Sequence, residues 1–415
     1  MSKKGRYALI YEMNINKQST QQKSNKVLPI RQWFYNYLQM VDWSEKKRNM
    51  LSFCLISLAT GLFTGSICAL EQLMTGNATD RINYIISRST INFNLLVSLY
   101  EKWVIRFVKG LSRLSGTEIW LSIDDTLQNK DKRSKCIVKG GKRNRKEGFS
   151  FVTAVIGVGN FFIPLIPRQS FRKTVAESLG REYIPKTRLA ENLIDTWSDY
   201  GLKGQSVVIL VDSWYSGKRM IEKCSQHEYA LICAFRSNRK LNNIQLKRYQ
   251  TGVRKYERVE KLDDKYLYRL YTRYGTLSGI KRRINVCLSQ RISLSNRKKT
   301  WRYIGCIGLN LSAPEILDWY KKRWAVETFH QLWKTFFGTG KWRLQSTESI
   351  DRLAIATVLA IGFAIFSFVR RHNYYIDLYE LSLEHNIMSM SMTQIKEELI
   401  FKKGLMQIIF QKGFQ

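Results

Sequence analysis

The 415-residue sequence predicts an α/β layered fold: a mixed sheet covered by helices, interrupted by a β-rich insertion and preceded by a helical region. Three observations carry that expectation. "SVVILVD" (206–212) is a continuous β-branched run, the pattern of a strand buried on both faces. "TRLAENLIDTWSDYG" (187–201) has helical periodicity and stops at Gly201. "FSFVTAVIGVGNFFIPLIP" (149–167) holds two apolar β-rich runs joined around Gly157, Gly159 and Asn160, which signals a hairpin.

The other elements follow in chain order. Residues 1–115 read as a mostly helical region, open either to binding DNA ends or to packing on the next domain, with apolar residues at helical spacing over 27–63 and a break at "TGNATD" (75–80). Ile119 to Asp125 reads as a strand entered from a Ser-Gly turn. The basic stretch "KDKRSKCIVKGGKRNRK" (130–146) is poor in structure formers and reads either as a segment that tracks a phosphate backbone or as a disordered, solvated loop. "GKRMIEKCSQH" (217–227) can form a short helix, and "YALICAFRS" (229–237) is another apolar strand, so 116–237 forms the first part of the layered domain. From 238 to 311 "KYLYRLYTRYG", "RRINVCLSQRI" and "TWRYIGCIGLNL" read as strands rich in bases and aromatics, a β-rich insertion.

"SAPE" (312–315) is a capping-box pattern with Pro314 in the first turn. It opens the last part of the layered domain, 312–371, on a helix expected to run through "YKKRWAVETFHQLWK" (320–334). "LAIATVLAIGFAIFSFV" (353–369) sits at the lower limit for a membrane span, but its alanines with Thr357, Gly362 and Ser367 read as a buried core helix. The tail, 372–415, carries no usable signal.

Charge narrows the partners. The formal net charge is +35, from 68 Lys plus Arg against 33 Asp plus Glu, which invites binding to a polyanion. Nucleic acid comes first and an anionic membrane surface second. A hydrophobic content of 44% excludes a disordered chain. The seven cysteines are odd in number and form no CxxC pair, which argues for reduced, cytosolic thiols and against a disulfide framework or structural zinc. The opening "MSKKGRYALIYEMN" has no long apolar run, so no secretory signal is expected.

A basic chain with acids at the ends of apolar strands points to two-metal phosphodiester chemistry, in which carboxylates hold two divalent cations. The candidates are Asp125 after "WLSID", Asp212 after "VVILV", and Glu327 presented from a helix. Asp124 points to the face opposite Asp125, so one of the pair joins the site. Singly each acid has a plainer reading: a turn residue for Asp125, a helix cap for Asp212, a partner of Arg323 for Glu327. On an ideal helix Tyr320, Arg323, Glu327 and Lys334 fall within an arc of roughly 60°, a stripe too polar for a core seam. Arg323 and Lys334 suit phosphate oxygens, and Tyr320 can stack or donate a hydrogen bond. Trp324, Phe329 and Trp333 are expected on the core side, and His330 reads as a packed or phosphate-contacting residue.

The spacing Y-x2-R-x3-E-x6-K resembles the YREK signature of the bacterial insertion-sequence DDE transposases of the IS-four superfamily. "IDDT", "LVDSWYSG" and "YKKRWAVETFHQLWK" resemble the family's three motifs, and the likeness spans about residues 115–370. It implies an RNase H-like fold, with Asp125, Asp212 and Glu327 as the catalytic, metal-holding carboxylates for two Mg²⁺ ions, Mn²⁺ substituting. It implies DNA contacts from Tyr320, Arg323 and Lys334, binding of double-stranded terminal inverted repeats, cleavage at the element ends and joining to target DNA. A dimer on paired DNA ends and a cytoplasmic, DNA-associated location follow from the same resemblance. Trp301 or Trp214 could hold a flipped base if a hairpin intermediate forms. Two alternatives stay open: an RNase H-like nuclease without strand transfer, and an inactive DNA-binding relic.

Overall fold

The structure, a computed structural model, describes residues 43–371 except 60–62, 64, 76–79, 130–137, 140–146, 252–257, 262–264, 281 and 345. The basic stretch 130–146 therefore lies mostly outside the described residues, as do the tail beyond 371 and the first 42 positions.

The helical region begins with α1 (Glu45–Ala59), α2 (Ile67–Thr75), α3 (Arg81–Ser87) and α4 (Phe93–Ser115). Asn92 caps α4, its side chain accepting the Leu95 N–H at 3.2 Å, and Gly116 ends it in the left-handed conformation (φ 67°). Then come β1 (Ile119–Asn129), β2 (Val138–Lys139), β3 (Glu147–Val158), β4 (Phe161–Pro164) and β5 (Arg168–Ser170). Next are α5 (Lys173–Ser178), α6 (Lys186–Trp197), β6 (Val207–Val211), α7 (Lys218–Gln226) and β7 (Ala230–Phe235). As the periodicity required, α6 gives way to a wide turn over Ser198–Leu202 in which Gly201 takes φ 126°, a conformation suited to glycine.

The sheet runs β10 (Arg258–Lys261), β11 (Tyr266–Thr276), β12 (Arg283–Ser293), β13 (Lys299–Ile307), β7, β6, β1, β3, β2, with β4 and β5 also paired to β3. β1, β6 and β7 are mutually parallel, and β3 is antiparallel to β1. That core, flanked by helices, is RNase H-like. β6 is buried at all five positions, as its continuous apolar run demands. In the β3–β4 hairpin Gly157 is obligatory, because a Cβ there would lie 2.2 Å from the Phe161 carbonyl oxygen and 2.5 Å from the Trp120 ring.

The stretch 238–311 contains the short pair β8 (Lys240–Leu241) and β9 (Ile244–Gln245), then β10 (Arg258–Lys261), β11 (Tyr266–Thr276), β12 (Arg283–Ser293) and β13 (Lys299–Ile307). These last four extend the main sheet: β13 pairs antiparallel with β7, from Tyr303↔Phe235 to Ile307↔Leu231.

The chain closes with α8 (Ala313–Lys321), α9 (Trp324–Phe337) and α10 (Thr347–Arg371). The capping box forms: the Ser312 N–H donates to Glu315 Oε2 at 2.7 Å and its hydroxyl at 2.6 Å. The single helix expected across 320–334 is instead two. At Lys322 and Arg323 the backbone bonds shorten to three-residue steps, and the Ser122 hydroxyl on β1 donates to the Arg323 carbonyl at 3.1 Å, holding the junction against the sheet. α10 is a core helix, buried continuously from Leu353 to Ile361. Its Thr357 hydroxyl receives the indole N–H of Trp333 at 2.9 Å. Among the described residues no helix is long and apolar enough to cross a membrane.

Candidate active site

In open α/β sheets, ligands gather outside the carboxyl ends of the parallel strands. The acids collect there: Asp124 and Asp125 lie in the second half of β1, and Asp212 directly follows β6. α9 brings Glu327 to the same end, since the Arg323 junction is pinned to β1.

Strand alternation separates the neighbouring aspartates. Asp124 faces α9, where its Oδ2 accepts from Arg323 Nη1 at 2.8 Å; the same guanidinium nitrogen stands 3.7 Å from Glu327 Oε1. Asp125 turns the other way, to Tyr215 and to Lys186 at the start of α6: the Tyr215 hydroxyl donates to its Oδ1 at 3.1 Å, and the Lys186 amine to its Oδ2. The aspartate that meets Arg323 beside Glu327 is thus Asp124, whereas Asp125, the one expected there, meets Lys186 and Tyr215. Helix α9 lies on the face Asp124 occupies. Sequence alone could show that one aspartate of the pair faces the site, but not which.

Asp212 uses Oδ1 to accept the backbone N–H groups of Trp214 (2.8 Å) and Tyr215 (3.3 Å). It orders its own turn and does not cap α7, which is preceded by Gly217. Among the described residues its Oδ2 has no hydrogen-bond partner.

The charges show that these acids act on one another. Burial raises the Asp124 carboxyl to about 7; the Asp125 N–H and Arg323 oppose the rise, and the negative charges of Asp212 and Glu327 add to it. Glu327 is held below its usual range, first by the hydrogen bond from His330 and also by Arg323 and a hydrogen bond from Asp124. Burial works against the Arg323 charge, but Tyr320, Asp124, Glu327 and Asp212 more than restore it. Arg323 thus supplies the positive charge that this acid set demands.

His330 belongs to the same assembly. It is buried, with Nδ1 3.6 Å from Glu327 Oε2 and Nε2 2.6 Å from the Thr153 hydroxyl, which also lies 3.1 Å from the Asp124 carbonyl oxygen. Burial lowers its pKa, against the hydrogen bond and charge of Glu327, which pull it up. Lys186, Tyr215 and Thr153 were not singled out by sequence reasoning, because each reaches the site through a long-range contact that no local pattern encodes.

The polar stripe is partly assembled. The Tyr320 ring packs beneath the Arg323 guanidinium at 5.7 Å, and burial pushes its phenol up to about 12. Lys334 stays on the outer side of α9, its amine lowered by partial burial and supported by Glu327. Phe329 and Trp333 are buried as expected, but Trp324 is 65% exposed, because the break at Lys322–Arg323 turns it out of the core. Trp214, beside Asp212, is also exposed at 58%, with Arg236 5.8 Å from its ring centre.

The donors offered here are carboxylate oxygens, the ligands a hard divalent cation takes. Among the described residues no three His, Cys, Asp or Glu side chains stand close enough together to hold an ion. The set fits in chemistry and in mutual charge. Coordination would require Arg323 to release Asp124 and the side chains to reorient.

Residues 184–363, somewhat under half of the chain, match the family model described as a transposase DDE domain. That span contains Asp212 and Glu327 and supports a DDE transposase. A solved structure described as a piggyBac transposase synaptic complex with hairpin DNA is similar at 12% identity and a TM-score of 0.46, covering 95% of this chain and 80% of that one. No curated protein matches the sequence.

Proposed function

We propose that the protein is a DDE transposase of the insertion-sequence type, which cleaves DNA at the terminal inverted repeats of a mobile element and joins the freed ends to target DNA. The observation that carries this is that Arg323 stands 2.8 Å from Asp124 on β1 and 3.7 Å from Glu327, while Asp212 follows the neighbouring parallel strand β6 at the same end of the sheet. The transposase DDE domain match over 184–363 supports it, as does the YREK spacing of Tyr320, Arg323, Glu327 and Lys334.

In this reading Asp124, Asp212 and Glu327 would hold two Mg²⁺ ions, with Mn²⁺ able to substitute. Such ions, when bound, activate the attacking hydroxyl or water and stabilise the leaving oxygen. Asp125 orients the end of β1 through Lys186 and Tyr215. His330 holds Glu327 in position from Nδ1. Arg323 moves from Asp124 to a phosphate oxygen of the DNA, and Lys334 takes another; Tyr320 supports Arg323 from below. The 1–115 region helps to recognise the ends, and the protein works as a dimer on paired ends in the cytoplasm.

A nuclease of the same fold would share these residues and differ only in its product. Incubation with Mg²⁺, labelled candidate end DNA and a target plasmid separates the two. The transposase reading expects label joined covalently to the plasmid; hydrolysed ends with no joined product would favour the nuclease.

A further inference from the structure

Helix α4 carries its cations in one line. Lys102, Arg106, Lys109 and Arg113 are spaced four, three and four residues apart, so they share a helix face. Lys102, Arg106 and Arg113 are exposed and Lys109 is half-buried. The other side of the helix is committed to the core through Leu96, Tyr100, Val104, Phe107 and Val108.

Like charges one turn apart disfavour a helix, and this one has three such steps. Burial, then Arg113 and Arg106, hold the Lys109 amine below its usual value. Other helices of the protein match exposed cations with acids: Lys173 with Glu177 at 3.9 Å, Lys218 with Glu222 at 3.6 Å, Lys321 with Asp318 at 2.6 Å. None of the four α4 cations meets an acid among the described residues. Glu101, the acid of α4, points inward to Arg168 at 3.0 Å. Lys109 donates to the Gly201 carbonyl at 2.8 Å, and Lys102 lies 5.1 Å from the Tyr200 ring centre, so the stripe continues onto the 198–203 turn, where Lys203 is exposed. Asp199 on that turn pairs with none of them.

We propose that this stripe is a docking surface for the phosphate backbone of duplex DNA, separate from the carboxylate site. α4 packs beside α6, whose Lys186 meets Asp125, whereas Arg323 and Glu327 lie on the face of Asp124. From Lys102 to Arg113 the helix runs roughly 16 Å, over which a duplex presents about nine or ten phosphate charges. The contact positions DNA without reading its sequence. An anionic membrane fits less well, because insertion needs a free apolar helix face and that of α4 is used by the core. The inference does not depend on the carboxylates being catalytic.

The test is binding of the full chain to a duplex of arbitrary sequence, followed by fluorescence anisotropy across a salt series. Wild type is compared with R106Q/R113Q and with K173Q/K218Q, which removes the same charge from acid-paired positions. Two lost phosphate contacts should lower the slope of log affinity against log salt by about 1.8 in R106Q/R113Q, with little change in the control pair. Equal loss in both pairs, or no change in R106Q/R113Q, would overturn the proposal. So would duplex binding left intact while binding to phosphatidylserine vesicles is lost. No cleavage step enters the measurement, so its failure and a failure of the carboxylate reading are seen separately.

Discussion

Asp124 and Arg323, 199 positions apart in sequence, meet at 2.8 Å where β1 passes the start of α9. This contact makes Asp124 the aspartate of the pair that faces Glu327, and it leaves Asp125 to Lys186 and Tyr215. The two isosteric variants should therefore behave differently. Asp124→Asn should abolish detectable end cleavage, while Asp125→Asn, which disturbs only an orienting contact, should reduce it about 10–100-fold. Single-turnover cleavage of labelled DNA checks this, and the reverse ranking would restore Asp125 to the site.

The raised Asp124 carboxyl has a consequence for stability. Its folded value, about 7, lies above the ordinary aspartate value, so the folded state binds its proton more tightly than the unfolded one. The stability this contributes is fully present below about 4 and is lost as pH rises towards 7. Asp124→Asn removes that loss, so the Tm of the variant relative to wild type should climb between pH 4 and 7 and then level off. A difference that is flat with pH would show that the carboxyl is not perturbed.

Lys186 and Asp125 are each about a quarter exposed, at 28% and 26% for their side chains, so their pairing should be modest. A double-mutant cycle with Lys186→Met and Asp125→Asn should give a coupling of about 1 kcal/mol in denaturant unfolding. Strict additivity would mean that the pair does not form in solution.

Trp333 ties α9 to α10. It is fully buried, stacks on Phe329 at 5.6 Å and donates to Thr357. Trp333→Ala should cost about 3–5 kcal/mol, and Thr357→Val, which leaves the indole N–H unpaired, about 1–3 kcal/mol. Wild-type stability in both would mean that α10 does not pack where the structure places it.

These residues also show what the sequence could reveal. β6, α6 and the β3–β4 hairpin were legible because local periodicity and turn residues determine them. The same holds for the capping box at Ser312 and the burial of 353–361. Asp212 and Glu327 were legible as site candidates because a strand end and a charged helix face are local features. Three things were not: the facing of Asp124, the helix break at Lys322–Arg323, and the joining of β13 to β7. Each is set by a contact between segments far apart in the chain. Strand alternation showed that Asp124 and Asp125 diverge, but only the placement of α9 determines which of them meets Arg323.

The most direct test of the central claim is Mg²⁺-dependent cleavage of end DNA by wild type beside Glu327→Gln, with DNA binding measured on the same samples. Both proteins should bind, and only wild type should cut. Equal cutting by the two, or binding by both with no cutting by either, would contradict the claim.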